Sequence, residues 1–309
     1  MFEYHSKDGQ LYIRLPDKIQ FNVDFLNAMT ELAARSYDPS YKEICVLCTK
    51  EASYDKMSKA YLLNVLLSFS SDKIVKWNLL LSDLITSKVH RRDGSHFEEV
   101  DLVRTYVDDN LDYFEFTDDG SVSMPVGEMA KLLVEKNMTL NANEVKEFLS
   151  TMIGEIFSNC FLHSNQDKAF FMYDILLQDD FYLCVNIIDY GTTLIHNVKK
   201  YFKEIKNREI SSTDCFYWAI RSGTTTREGS GGYGLATLID YISEAKGELY
   251  IFSGDAYYAL KDQKAVVEAS MGEFRGTSVT FKVKLFESSN IITYDSTNNK
   301  LVTVSLDCL

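Results

Sequence analysis

The chain has 309 residues, 46% of them apolar, enough for one large domain or two ordinary ones around a well-buried core. It carries 32 Lys and Arg against 45 Asp and Glu, a net charge of −13, with the acids scattered along its length. Such a field repels phosphate backbones and anionic lipid, which argues against a nucleic-acid or membrane-surface protein.

In chain order, Tyr12 to Leu15 reads as a strand, Val23 to Arg35 as an amphipathic helix and Ile44 to Cys48 as a second strand. Ser53 to Phe69 has helical spacing, with Tyr54, Met57, Tyr61, Val65 and Phe69 toward one side and Ser53 as its expected cap. Its most apolar run, AYLLNVLLSF from Ala60 to Phe69, is too short to span a bilayer. The first residues, MFEYHSKDGQ, lack the basic and then apolar profile of a signal peptide, which predicts a cytoplasmic chain. Ile74 to Leu81 begins as strand again and closes a small α/β unit over residues 1–85. Residues 86–138, punctuated by Asp93, Gly94, Gly120 and Pro125, hold no long periodic run and read as a connector. Over residues 139–286 the pattern becomes one long helix, strands, a glycine loop, a helix and more strands. The tail, 287–309, reads as a hairpin turning at Asn298-Asn299 between IITYD and KLVTVSL.

Six cysteines fit a reducing compartment. Cys45 and Cys48 form a CxxC, but on a strand residues three apart face opposite ways, and no second CxxC completes a zinc site. They read as buried apolar residues.

Three stretches carry chemistry. REGSGGYGLATL, Arg227 to Leu238, puts four glycines in six positions ahead of an apolar helix, Leu235 to Ala245, for which Gly247 is the expected C-terminal cap. A helix N-terminus offers unpaired N–H groups and partial positive charge, and residues without Cβ let a phosphate approach them. The loop lacks the Lys-Ser/Thr of a Walker A motif. It satisfies the dinucleotide fingerprint literally through Gly229, Gly231 and Gly234, with Asp255 about twenty residues on, but AIRSGTTTRE before it has no strand character. A plain flexible turn is the remaining alternative.

Upstream, Asn141 and Glu144 suit a capping box for the helix through VKEFLSTMIGEIFSNCFLHS. Val145, Leu149, Met152, Ile156 and Cys160 form its apolar stripe, and Glu155, Asn159 and His163 follow one another at i, i+4 and i+8 beside it. A carboxylate four residues before a carboxamide suits activation of water next to a hard cation, although an exposed helical face gives the same pattern. FYLCVNIIDYG, Phe181 to Gly191, is apolar enough for an interior strand and ends in Asp189, placed to accept a hydrogen bond from an exocyclic amine; a simple strand-ending turn is the alternative.

In this order the three stretches resemble the GHKL ATPase superfamily of gyrase B, heat-shock chaperone ATPases, histidine kinases and mismatch-repair ATPases. Glu155-Ile156-Phe157-Ser158-Asn159 is similar to its N box, Asp189-Tyr190-Gly191 to its first glycine box and Gly232-Tyr233-Gly234-Leu235 to its second, with Gly276-Thr277 opening a late strand. The resemblance covers residues 139–286. It implies an α+β Bergerat-type sandwich, a mixed sheet with helices on one face, that binds ATP with Mg²⁺. Asn159 is then the Mg²⁺ ligand, Asp189 the adenine acceptor with Gly191 making room for the ring, and Thr277 a water-mediated adenine contact. Gly231, Gly232, Gly234 and Leu235 would hold phosphate, and Glu155 would be the general base. Thr192 to Ser230 becomes a lid over the nucleotide, with Thr224 and Arg227 at its phosphate-facing tip. The sequence departs from the family at Thr193 and Ala236, where glycines are usual, and no His-Glu or His-Asp phosphoacceptor motif is present.

Residues 1–85 look somewhat like the STAS modules of bacterial anti-sigma-factor regulation, which implies a regulatory or docking role. The whole reads as an ATP-dependent switch acting on a protein partner, with slow hydrolysis. An anti-sigma-type serine/threonine kinase and an interaction module that has lost nucleotide are the alternatives, and the oligomeric state stays open.

Overall fold

The computed structural model describes residues 2–69, 73–78, 112–116, 127, 142–163, 169–177, 181–226, 232–284, 286–287, 290–295 and 300–305. Among these lie six helices and fourteen strands, a mixed α/β architecture with mixed and antiparallel sheets.

The N-terminal unit starts with a hairpin of β1 (Glu3–Lys7) and β2 (Gln10–Arg14). Its two-residue turn, Asp8-Gly9, has positive φ at both positions, 51° and 77°, as a type I′ turn requires. Helix α1 (Val23–Ser36) starts at Asn22, whose side chain accepts from the Phe25 amide at 2.9 Å. It leads to β4 (Glu43–Leu47), parallel to β2, and α2 (Lys56–Ser68) leads on to β6 (Ile74–Trp77), parallel to β4. In the sheet β1-β2-β4-β6, Leu11, Ile13, Ile44 and Val46 alternate toward one buried face.

These elements fall where the hydrophobic pattern predicts, with two differences. Ser53 does not cap α2. It lies in the short strand β5 (Ser53–Tyr54), paired with β3 (Lys18–Ile19), and Asp55 takes the cap by accepting from the Ser58 amide at 2.8 Å. Nor is α2 one-sided: Met57, Ala60, Tyr61, Leu62, Leu63, Val65 and Leu66 are all buried, as a helix apolar all round must be.

The reason is a second sheet. Strands β7 (Asp112–Phe116), β8 (Ala169–Leu177), β9 (Phe181–Asp189), β10 (Glu248–Lys261) and β11 (Lys264–Lys284) form it in the order β10-β11-β9-β8-β7. Strand β7 comes from within the stretch read as a connector. Every pairing among the described residues of this sheet is antiparallel, where the family resemblance implies a mixed sheet. Hairpin connectivity explains this: β8 and β9 follow one another, and β10 turns directly into β11 through Asp262-Gln263, both at positive φ (50° and 59°).

Helices cover one face of this sheet: α3 (Ala142–His163), α4 (Leu194–Ile205), α5 (Ser212–Ala219) and α6 (Gly234–Glu244). Ile153, Phe157, Phe171, Val185, Ile187, Ile251 and Phe281 meet there in one core. The opposite face, with Met172, Cys184, Ile188, Phe252 and Phe274, belongs to the same core as Leu26, Met29, Tyr61 and Val65 of α1 and α2. The layers are therefore sheet, helices, sheet, helices, and α1 and α2 serve both sheets. Burial on two faces accounts for the near-continuous apolar reading of β9. Each fully buried aromatic at this junction contributes about 1.5–3 kcal/mol.

Polar contacts fix the register of the junction. The β10–β11 ladder is interrupted between Gly254/Phe274 and Ala256/Ala269, and the extra residues of β11 reach α1. The Met271 amide donates to Asn27 Oδ1 (2.7 Å), the Gly272 amide to Thr30 Oγ1 (3.1 Å), and the Arg275 guanidinium lies 3.9 Å from the Tyr37 ring centre.

Helix α6 ends in a Schellman motif in which Lys246, not Gly247, takes the left-handed conformation (φ 50°), while the Gly247 amide donates to the Ile242 carbonyl at 2.8 Å. At the C-terminus β12 (Phe286–Glu287), β13 (Asn290–Asp295) and β14 (Lys300–Ser305) form the expected hairpin, with Asp295 opposite Lys300; Asn298-Asn299 lie outside the described residues, as does Asn141. No helix among the described residues is long and apolar enough to cross a membrane.

Candidate functional site

A cavity of about 300 Å³ opens between α3, the first turns of α4, the end of α5, the entry to α6 and the ends of β9 and β11. Of the predicted site residues, Glu155, Asn159, Asp189, Thr224, Gly232, Gly234, Leu235 and Thr277 line it. Arg227 and Gly231 lie outside the described residues. Gly191 is not part of the lining, contrary to its expected role of making room for a ring. Its amide instead donates to Asp189 Oδ1 at 2.9 Å and orients that carboxylate.

At the deep end Asp189 is 3% exposed, where β9 runs out beside Thr277 of β11. Burial pushes its carboxyl up to about 7, against the opposing pull of hydrogen bonds from the Gly191 amide, the Cys160 thiol and the Thr277 amide. Aliphatic side chains of Ile156, Leu194, Val198, Ile251 and Val279 line the same cavity. Gly276, at φ 111°, makes the close approach of β11 possible, since a Cβ there would lie 1.9 Å from the Asp189 carbonyl oxygen. One buried acceptor among aliphatic walls suits a flat heteroaromatic ring that carries an amine.

At the mouth the chemistry reverses. Helix α6 begins at Gly234 with no side-chain cap, and both Gly234 and Leu235 line the cavity, so the positive end of the helix lies at its wall. A Cβ on Gly234 would fall 2.7 Å from Glu155 Oε2 and 3.6 Å from Asn159 Nδ2. The missing side chain therefore brings the helix N-terminus against the two polar groups of α3. Glu155 is exposed, Asn159 half-buried, and the apolar stripe beside them, Leu149, Met152, Ile156 and Cys160, is buried. The side chains of Val145 and His163 lie outside the described set. A helix N-terminus flanked by a carboxamide and a carboxylate is an arrangement that suits a phosphate chain with a hard cation. Among the described residues no three His, Cys, Asp or Glu side chains form a metal cage, so a cation here would depend on its ligand for most of its oxygens.

The segment from Thr192 to Thr226 walls the remaining side. Thr193, at the position of an expected glycine, caps α4 by accepting from the His196 amide at 3.0 Å. Thr224 lines the cavity, but its hydroxyl is committed to backbone carbonyls, 2.9 Å from Trp218 O and 2.7 Å from Arg221 O. The Gly223 amide donates to the Gly232 carbonyl at 3.0 Å, joining this segment to the glycine loop. Before that loop stands α5, not a strand, so the context of a dinucleotide fingerprint is lacking.

Sequence reasoning missed three contributors. Trp218 and Asn197 line the cavity, and no motif marks either of them. Ser253, buried in β10, accepts from the Leu194 amide (2.9 Å) and donates to the Gly276 carbonyl (2.9 Å), tying the start of α4 to β11, whose Thr277 lies beside Asp189. Its position opposite Thr277 became visible only with the register.

A scan against models of known protein families finds no match for this chain, and a search of curated proteins finds none either.

Proposed function

We propose that the cavity binds Mg·ATP and that the chain is a GHKL-type regulator with a Bergerat-type nucleotide domain, hydrolysing ATP slowly and switching a protein partner. The observation that carries this reading is the meeting of Asn159, Asp189 and Gly234, spread over 75 residues of sequence, on one cavity whose lining combines a buried carboxylate and aliphatic side chains with the start of a helix that no side chain caps. Both halves of the ligand find complementary groups. The STAS-like reading of the N-terminal unit is supported by its β-α-β-α-β order, β2-α1-β4-α2-β6, with parallel pairing.

In this reading Asp189 in its ionised form accepts from the exocyclic amine, held in place by the amides of Gly191 and Thr277. Asn159 would hold the metal through its carboxamide oxygen, and the amides at the start of α6 would take up phosphate charge. Bound Mg²⁺ supplies neutralisation of the phosphate oxygens. Glu155, exposed at the mouth, takes the proton of a water molecule, and the aliphatic walls keep bulk water from the base. Because Trp218 lines the cavity and Trp77 is the other tryptophan, titration of Trp77→Phe protein with Mg·ATP tests the proposal directly. A saturable change in Trp218 fluorescence, absent from Asp189→Ala, is expected; a flat titration contradicts it.

A further inference from the structure

Ser253, Thr277 and Asp189 stand in one row across β10, β11 and β9, each directly opposite the next, so their side chains leave the same face of the sheet. It is the face under the helices, because Ile251, Val279 and Ile187, two positions along each strand, belong to the core there. Thr277 and Asp189 line the cavity, and Ser253, fully buried, stands on the far side of Thr277. Side chains paired in this way have Cβ atoms about 4.5–5.5 Å apart, so a ligand group that reaches the Asp189 carboxylate has Thr277 within reach as well. A serine hydroxyl has one proton to give and two lone pairs to receive with, and Ser253 uses all three. Its proton goes to the Gly276 carbonyl at 2.9 Å, which can only accept, and one lone pair takes the Leu194 amide at 2.9 Å. The Thr277 hydroxyl lies 2.9 Å from the same oxygen, and with the Ser253 proton already spent Thr277 is the donor. This count leaves Thr277 no proton for the cavity, only lone pairs.

We propose that Ser253 is a positioning residue that fixes the direction of the Thr277 hydroxyl, so that the deep end of the cavity presents two acceptors side by side and selects a ring bearing a primary amine over the same ring bearing a carbonyl. A primary amine has two protons, one for the Asp189 carboxylate and one for the Thr277 oxygen. A carbonyl in its place turns lone pairs toward lone pairs and leaves both acceptors unpaired in a site closed to water, which is the loss that makes such a site discriminate. This selection rests on the proposed nucleotide site and names the group that its deep end reads.

The test compares the affinities of the full chain for the magnesium complexes of adenosine and inosine triphosphate, which carry an amine and a carbonyl at the same ring position, by isothermal titration at pH 8, where Asp189 is ionised. The wild type should favour the adenosine compound. Ser253→Ala releases the Thr277 proton to the cavity and should lower the ratio of the two affinities about tenfold. Thr277→Val should lower it by a similar factor, and Ser253→Ala should add nothing further on that background. Loosened packing, or the lost anchor of the Leu194 amide, would weaken both nucleotides alike and leave the ratio in place. Ser253→Cys keeps a similar volume but accepts weakly, and it gives the same reading if the alanine variant does not fold. A ratio unchanged in the Ser253 variants, effects that add in the double variant, or a wild type that binds both nucleotides equally overturns the proposal and leaves the nucleotide site standing. A wild type that binds neither removes the nucleotide reading and the selection with it.

Discussion

Asp189 and Tyr190 are neighbours in sequence, yet they serve opposite faces of the sheet. The Asp189 carboxylate lines the cavity, whereas the Tyr190 hydroxyl donates to Asn64 Oδ1 of α2, its ring packed between Phe170 and Phe274. A shift of the chain at the end of β9 is felt on both sides. Tyr190→Phe should cost about 1 kcal/mol in urea unfolding, the worth of a hydrogen bond whose partner is left buried, and should also change ligand affinity at the cavity. A stability loss with affinity untouched would show that the two faces are independent.

The titration of Asp189 gives a pH prediction of defined sign. Its folded-state value, raised to about 7 from 3.8, means that the folded chain holds a proton the unfolded chain has lost between about pH 4 and pH 7. Its contribution to stability is therefore lost as pH rises through that window, by up to about 1.4 kcal/mol per pH unit. Asp189→Asn should flatten this part of the stability profile of the free protein, and ligand affinity should increase from pH 6 to 8 only in the wild type, as the acceptor ionises. Identical pH profiles for both proteins would contradict the assignment.

Two glycine substitutions should separate fold from site. In Gly276→Ala the new Cβ would meet backbone, 1.9 Å from the Asp189 carbonyl oxygen, at a φ of 111° that L-residues avoid, so a loss of several kcal/mol, about 3 or more, is expected. In Gly234→Ala the Cβ meets the mobile end of Glu155. That variant should melt near the wild type and bind Mg·ATP poorly, as thermal melts with and without ligand would show.

Thr193→Ala removes the cap of α4 and should cost about 1 kcal/mol, confined to the amides of residues 194–197 in hydrogen exchange.

A chain cut to residues 139–309 would expose Met172, Ile188, Phe252 and Phe274, now buried under α1 and α2. Aggregation or strong dye binding by that fragment is expected, and a monodisperse, well-melting fragment would show that the junction is dispensable.

Much of this was legible in the sequence because it is local. The periodicity of α1, the apolar run of β9 ending at Asp189, and the Glu155 to Asn159 spacing depend on residues a few positions apart. What escaped depends on partners far along the chain. Tyr190 meets Asn64 of the apolar run AYLLNVLLSF from 126 positions away, a pairing that no local pattern marks. The all-round burial of α2 was written in AYLLNVLL, but a helix apolar on every side says only that something covers it, not that a second sheet does. Ser53 and Gly247 looked like caps by residue type, and the neighbouring Asp55 and Lys246 took those positions because the β3–β5 bridge and the last turn of α6 fixed the backbone first.

The most direct measurement is the melting temperature of the full chain with and without Mg·ATP, repeated on Asn159→Ala and Asp189→Ala. At a hundred times the dissociation constant the ligand should stabilise the wild type by about 2.7 kcal/mol, visible as a rise of a few degrees, and should leave both variants unmoved. A wild-type melt indifferent to Mg·ATP, or a rise of equal size in the variants, would contradict the claim that these side chains share one nucleotide.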